Sequence, residues 1–359
     1  MPVAAESATG ATYQARFERR WRHLTRPHVR ALAWLLDAPD LLDANAPYWH
    51  GRIAAPGPVA PDVEAWLAAL EADPAPLEAA LGGRFYSRLG LYAEKLMAFY
   101  FAQRGTLATH GLQVRTNHHG SKGNGGKETV GEFDFLLDEA GGGLRHIEFA
   151  TKFYLLDSDV ATTDFDLLVG PNLGDTLGRK MRKIFDQQLA LAQHPAAQQV
   201  LPRPVTAVQA LVKGWLFYPP GAVDGEVPVI PGITADHCRG RWLTLAGLAG
   251  EAGHAQERFV VMPRLQWLAP LKARAGDALP AVPAPLARGE LAALLATKFE
   301  ADASPVMVAA IREEDGWLLE ESRAFVVRDD WPARAAIRRA TVQNLGQNLG
   351  QNLGQKPAA

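Results

Sequence analysis

The order of apolar and polar residues predicts helices over the first hundred residues. Apolar residues near helical spacing indicate helices over 16–36, 61–70 and 84–104, and Pro39 and Pro47 end the first pattern. The third segment has the clearest pattern, because its apolar residues fall three or four positions apart and so share one helix face. They are Phe85, Leu89, Tyr92, Leu96 and Phe99.

Further along, short apolar stretches with β character predict strands over 112–116, 130–137 and 145–156. A helix over 175–193 and a strand over 205–218 follow. This order predicts an α/β or α+β core in which helices pack on a mixed sheet.

The last third carries weaker signals. Strands are predicted over 259–262, 306–311 and 317–327, separated by a stretch rich in Pro and Ala. Residues 343–355 repeat Gln-Asn-Leu-Gly three times, and this low-complexity composition predicts a disordered tail.

These patterns divide the chain into four predicted parts. We expect an N-terminal helical segment (1–75), an α/β core (80–220), a C-terminal α+β region (221–335) and the tail (340–359).

Composition limits the classes of protein that remain. Hydrophobic residues make up 48% of the 359 residues, which excludes global disorder. The net charge of −2 argues against coating nucleic acid by bulk charge. We expect a cytoplasmic protein with no membrane contact, because neither an apolar span nor a secretory signal is evident. The single cysteine, Cys238, excludes an internal disulfide and a cysteine-rich zinc module.

The second and third predicted strands form a hairpin with one ionisable face, since alternate residues of a strand point the same way. In 130–137 that face takes Glu132, Asp134 and Leu136, and Phe133, Phe135 and Leu137 take the other. In 145–155 it takes His146, Glu148, Ala150, Lys152 and Tyr154.

The turn between the strands suggests a register. Residues 138–143 end in three glycines, and a hairpin folded symmetrically about Gly141 sets Asp134 opposite Glu148 with Cβ atoms about 5 Å apart. Two carboxylates at that distance repel by roughly 3 kcal/mol at an effective dielectric of about 20. A proton, Lys152 or a divalent cation should offset this repulsion, and Mg²⁺ suits two carboxylates best. The alternative is an ordinary amphipathic hairpin with its polar face in water.

The hairpin resembles the core motif of the PD-(D/E)xK nuclease-like superfamily. More closely, the chain is similar to an uncharacterised bacterial family, a domain of unknown function assigned to that superfamily. The segments that carry the resemblance are 89–94 (LGLYAE), 117–123 (NHHGSKG), 131–137 (GEFDFLL), 146–152 (HIEFATK) and 213–218 (KGWLFY), within coverage of about 15–330.

The resemblance implies a restriction-endonuclease-like mixed sheet and a role for each matched residue. Asp134 and Glu148 would bind Mg²⁺ or Mn²⁺, and Glu94 would assist them. Lys152 would stabilise charge on the scissile phosphate or help to lower the pKa of the attacking water. Gln187 or its neighbour Gln188 would position substrate.

One position departs from the superfamily pattern. The lysine usually stands two residues after the acid, where this chain has Ala150. Lys152 keeps the same face of the strand but lies roughly 6.6 Å further along it. The site is therefore either rearranged or degenerate.

Two basic segments are candidates for holding a nucleic-acid backbone, with a solvated surface as the alternative. The predicted substrate contacts are Arg115, His118, His119 and Lys122 in the first segment, Arg179, Lys180 and Lys183 in the second, and Gln187 beyond it.

Together these features predict Mg²⁺-dependent hydrolysis of phosphodiester bonds in DNA or RNA. The alternative is a catalytically degenerate nuclease-fold protein that acts as a nucleic-acid-binding or assembly module. A third possibility is a metal-dependent hydrolase acting on another phosphate or carbonyl substrate.

Overall fold

The fold is taken from a computed structural model of the chain. The structure describes residues 12–83, 86–117, 127–158, 164–220, 229–251, 256–274 and 282–339. The predicted tail and the loop that carries His118, His119 and Lys122 lie outside these residues.

Helices dominate the first part of the chain, as predicted. The helix expected over 16–36 is two helices, because Pro27 begins a new one, and proline is tolerated in a first helical turn but not in an interior. The helix expected from Arg84 begins at Leu89. The five helices are α1 (Tyr13–Trp21), α2 (Pro27–Asp37), α3 (Pro61–Ala72), α4 (Ala75–Leu81) and α5 (Leu89–Gln103).

The described strands form one mixed sheet of eleven strands, so the predicted mixed sheet flanked by helices is confirmed. Its principal order is β1-β2-β3-β5-β6-β11-β10-β7-β9, with β4 paired to β3 and β8 paired to β11. The strands are β1 (Leu107–Asn117), β2 (Lys127–Asp138), β3 (Leu144–Leu156), β4 (Leu168–Val169), β5 (Val205–Tyr218), β6 (Cys238–Thr244), β7 (Arg258–Val261), β8 (Lys272–Ala273), β9 (Leu286–Ala287), β10 (Val306–Glu314) and β11 (Trp317–Val327).

The helix predicted over 175–193 is present in pieces. It consists of α6 (Leu177–Lys183), a π-helical turn (Ile184–Gln188) and a 3₁₀ turn (Leu191–Gln193). The remaining helices of the described chain are α7 (Pro195–Gln198), α8 (Leu245–Gly250) and α9 (Arg288–Ala301). No helix in the described ranges is long and apolar enough to cross a membrane.

The sheet continues across the predicted boundary between core and C-terminal region. That boundary falls between β5 and β6, which are parallel neighbours paired from Trp215 to Tyr218. The division into domains stays a prediction.

Buried polar groups of β11 contact helix α1 and strand β5. The Arg323 guanidinium lies 3.7 Å from the centre of the Trp215 ring, and its Nε donates to Glu320 at 2.7 Å. Gln14 of α1 donates to the same Glu320 carboxylate at 3.1 Å. Each buried charge is thus paired and hydrogen-bonded, which limits the cost of its burial.

Candidate functional site at the fork of the hairpin

The hairpin has the predicted register. Phe135 pairs with Ile147 and Asp138 with Leu144, so the antiparallel pairs are centred on Gly141. Asp134 and Glu148 are the next positions on the two strands. The turn glycines and the apolar pattern therefore sufficed to predict the pairing.

The two strands pair with each other only near the turn. Among the described residues, β2 and β3 share four pairs, from Phe135–Ile147 to Asp138–Leu144. Beyond them β2 continues to pair with β1, and β3 with β5. Asp134 and Glu148 lie where the shared ladder ends, and we call this point the fork.

The ionisable face of the hairpin is buried at the fork, contrary to the alternative of an ordinary amphipathic hairpin with its polar face in water. Glu148 is only 1% exposed and His146 is fully buried. The predicted faces of β2 also need correction: Phe133 packs with Leu136, whereas Phe135 packs in the cluster that includes α5. Phe133 and Phe135 therefore do not share the face that two-residue alternation predicts, and each packs in a different apolar cluster.

The carboxyl groups of Asp134 and Glu148 lie close enough to hydrogen-bond when one carries a proton. Burial, and for Asp134 also the neighbouring Glu148 carboxylate, raises the pKa of both groups well above the usual range of carboxylic acids. The Phe149 amide donates to Asp134 Oδ2 at 2.9 Å, which fixes one side of the pair. The pair therefore holds a proton near neutral pH unless a cation replaces it.

One oxygen of this pair lacks a donor when both carboxyl groups are ionised. Glu148 Oε2 is buried and then accepts no hydrogen bond from the described residues. His146 Nε2 lies 3.3 Å from Glu148 Oε2 and forms no hydrogen bond with it. Burial lowers the pKa of His146 to about 4, so its ring is neutral and does not offset the carboxylate charge.

Lys180 is the cation whose charge acts on both carboxyl groups. Its charge lowers the pKa of Asp134 and of Glu148, although burial keeps both values raised. Lys180 Nζ donates to Gln188 Oε1 at 3.0 Å, and the Gln188 amide donates to Glu148 Oε1. A relay of hydrogen bonds therefore runs from Lys180 through Gln188 to Glu148.

The π-helical turn decides which glutamine reaches the carboxylate. In a regular α-helix a residue shares a face with the seventh residue after it, which for Lys180 is Gln187. Here the Leu189 amide donates to the Ile184 carbonyl at 2.9 Å, five residues back, so the turn contains one extra residue. Gln188 therefore faces Glu148, and Gln187 is exposed.

Lys152 lies beside another acid. Its Nζ is 3.8 Å from Asp175 Oδ2, and Asp175 also accepts from the Tyr154 hydroxyl at 3.0 Å. Burial and then the charge of Lys180 lower the pKa of Lys152. These contacts keep Lys152 near the far end of β3, consistent with its displaced position in the sequence.

Glu94 lies on α5, close enough for the charge of Asp134 to affect its pKa. Burial raises its pKa to about 7, and the carboxylates of Asp134 and Glu132 contribute to the rise. Its proton is therefore exchangeable near neutral pH, which is the property required of a general acid or base.

The other predicted substrate contacts are distributed around the fork. Arg115 donates to Gln113, and Arg179 lies 3.4 Å from Asp175. Lys183 is exposed near the pair, and its charge lowers the pKa of Glu148. These positions form no single groove in the described structure, and their role stays a prediction.

Asp134 and Glu148 are the residues at the fork that could hold a cation, and they would supply few of its ligands. In the described ranges, no group of three or more His, Cys, Asp or Glu side chains is arranged to hold a metal ion. The pair offers two carboxylates, one of which has an oxygen, Glu148 Oε2, that accepts no hydrogen bond from a described N–H or hydroxyl group. Mg²⁺ and Mn²⁺ prefer such oxygen ligands, and Mg²⁺ is commonly held by one or two carboxylates with water and substrate phosphate completing its shell.

The fold and the fork define a mixed α/β protein with a buried carboxylate pair as its candidate reactive centre. Residues 30–327 match the family described as Domain of unknown function (DUF1853), and the chain belongs to that family. No curated protein and no solved structure matches the chain.

Proposed function

We propose that the chain is a metal-dependent nuclease of the PD-(D/E)xK type that hydrolyses phosphodiester bonds in DNA or RNA. The observation that carries the proposal is the buried pair of Asp134 and Glu148, whose close approach is unfavourable without a proton or a cation. Such a cost is accepted at functional sites more often than elsewhere.

The chain's own side chains supply distinct parts of the proposed reaction. Asp134 and Glu148 would hold the cation, and Gln188 orients Glu148 through its amide. Bound Mg²⁺ or Mn²⁺ would neutralise phosphate charge and supply activated water. Glu94, with its pKa of about 7, would exchange the proton released on attack.

We propose that the side chain of Lys180 stabilises charge on the phosphate and that Lys152 lies further from the reacting atoms. Lys180 acts electrostatically on both carboxyl groups and reaches Glu148 through Gln188. Lys152 is held beside Asp175. Lys180 would then supply the positive charge of the lysine that the superfamily pattern places where this chain has Ala150.

The direct test is cleavage of labelled single- and double-stranded DNA and RNA by purified protein with Mg²⁺ or Mn²⁺. Asp134→Asn and Glu148→Gln should each lower the rate by at least about a hundredfold, because each removes a cation ligand. Lys180→Met should lower it more than Lys152→Met.

Asp138→Asn is the matched control, since Asp138 lies on the same strand but forms only an exposed ion pair with Arg203. Its rate should equal that of the natural chain. Cleavage that survives in Asp134→Asn and Glu148→Gln would come from a contaminant and would remove the assignment.

The contact between Lys152 and Asp175 favours a second candidate, a nucleic-acid-binding module that has lost catalysis. Salt-dependent binding of nucleic acid, no cleavage and no heat of Mn²⁺ binding in calorimetry would support this alternative.

A further inference from the structure

The π-helical turn that presents Gln188 is held from outside by Arg52. Its Nη1 donates to the Phe185 carbonyl at 3.2 Å, and its guanidinium lies 4.9 Å from the centre of the Phe185 ring. A π turn interrupts the usual bonds between carbonyls and amides four residues on, so its carbonyls need other partners. Arg52 supplies one to Phe185.

Arg52 is itself anchored beside the carboxylate strand. Its carbonyl accepts from the Ala210 amide at 2.8 Å, and the Ala54 amide donates to the Ala210 carbonyl at 2.9 Å. Ala210 of β5 is the register partner of Glu148 of β3. The backbone of Arg52 is thus one strand removed from Glu148.

These contacts close a ring around the fork. From Glu148 the ring crosses to Ala210 and to the backbone of Arg52, and the Arg52 side chain then reaches Phe185 in the π turn. The turn returns to Glu148 through the amide of Gln188. The Arg52 side chain is therefore the link in this ring between the π turn and the strand next to Glu148.

We infer that Arg52 is a positioning residue that stabilises the π turn and so selects Gln188, in place of Gln187, as the partner of Glu148. The functional part of this inference rests on the proposed cation site. Without Arg52 the Phe185 carbonyl loses its partner, and the segment is free to wind as a regular α-helix. Gln187 would then lie on the same face of the helix as Lys180.

The test compares Arg52→Met with Arg52→Lys in the full-length chain. Arg52→Met keeps the length of the side chain but donates no hydrogen bond, whereas Arg52→Lys retains a cationic donor. Mn²⁺ affinity, measured by calorimetry, should fall about tenfold in Arg52→Met, as is typical when the hydrogen bond that orients a ligand is lost. It should recover in large part in Arg52→Lys.

Glutamine variants separate register from general destabilisation. In the natural chain, Gln188→Ala should weaken Mn²⁺ binding about tenfold and the matched control Gln187→Ala should leave it unchanged. In the Arg52→Met background, Gln188→Ala should add almost nothing. Additive losses from Arg52→Met and Gln188→Ala would overturn the inference, because independent sites add and coupled sites do not.

A crystal structure of Arg52→Met tests the register without any activity or metal. In this variant we expect the Leu189 amide to donate to the Phe185 carbonyl, four residues back. A π turn that persists unchanged would overturn the role of Arg52. Failure of the natural chain to bind Mn²⁺ or cleave nucleic acid would count against the proposed function, while this structural outcome would still decide the role of Arg52.

Discussion

At the scale of single residues, the fork concentrates acidic groups whose pKa values all shift in one direction. Burial raises the pKa of Asp134, Glu148 and Glu94. Each group therefore holds its proton more tightly in the folded chain than in the unfolded chain. Since an unfolded carboxyl group titrates near pH 4, folding becomes less favourable as pH rises above that value.

This linkage predicts that the metal-free protein loses stability as pH rises from about 4 to about 8, the raised pKa of Asp134. Asp134→Asn should raise the free energy of unfolding at pH 7.5 by roughly 1–3 kcal/mol, because the raised pKa of Asp134 disfavours folding at that pH and an amide does not titrate. At about pH 3 the gain should be small, since the acids are then largely protonated in both states.

Urea unfolding at several pH values, in the presence of a chelator, measures this difference. Asp138→Asn again serves as the control and should show no such pH dependence. A destabilising effect of Asp134→Asn at pH 7.5 would show that the pair is a structural contact and not a strained site.

The identity of the carboxylates could be predicted from sequence, whereas the identity of their partners could not. A hairpin folded symmetrically about Gly141 suffices to set Asp134 against Glu148. Gln188 reaches Glu148 and Gln187 does not, because one extra residue in a helix changes its face, and no local sequence pattern marked the π turn. The role of either glutamine in positioning substrate stays a prediction. Lys180 was recognised as basic, but only the packing of α6 brings its charge to the pair.

At the scale of elements, β3 and β5 must lie close together for the fork to keep its shape. They are parallel and paired from Leu144–Val205 to Leu155–Phe217. A Cβ atom at Gly214 would lie 2.2 Å from the Lys152 carbonyl oxygen, so only glycine fits opposite Lys152.

Gly214→Ala should therefore force the two strands apart and destabilise the chain by about 1–3 kcal/mol. The matched control is Gly141→Ala in the hairpin turn, where an added Cβ would contact nothing within 4 Å. Thermal unfolding should separate the two variants clearly. Equal melting temperatures would show that the close approach of Gly214 to the Lys152 carbonyl does not contribute to stability.

At the scale of the whole molecule, one sheet links segments that the sequence pattern separates. Strands over 205–218 and 317–327 were predicted with their observed bounds, because their apolar runs are long and bounded by turns. Their place in a single sheet was not predictable. β5 meets β6 and then β11, and such long-range pairing depends on packing and not on local pattern.

The buried hydrogen bonds between α1 and β11 likewise could not be predicted from the local sequence pattern. Gln14 lies 306 residues from Glu320 in the sequence, yet it shares one hydrogen-bonded cluster with Glu320 and Arg323. Nothing in the local pattern distinguishes Arg323 from the arginines of the surface. The fork therefore rests on a scaffold whose class could be predicted but whose connections required the three-dimensional structure.

The central claim is that Asp134 and Glu148 together bind a divalent cation. A crystal of the natural chain grown near pH 8 and soaked in Mn²⁺ tests it directly through anomalous scattering. The expected result is one peak between the two carboxylates, with oxygen distances close to those of Mg²⁺ sites, about 2.1 Å. The absence of a peak at saturating Mn²⁺, with the two carboxyl groups still hydrogen-bonded to each other, would contradict the claim.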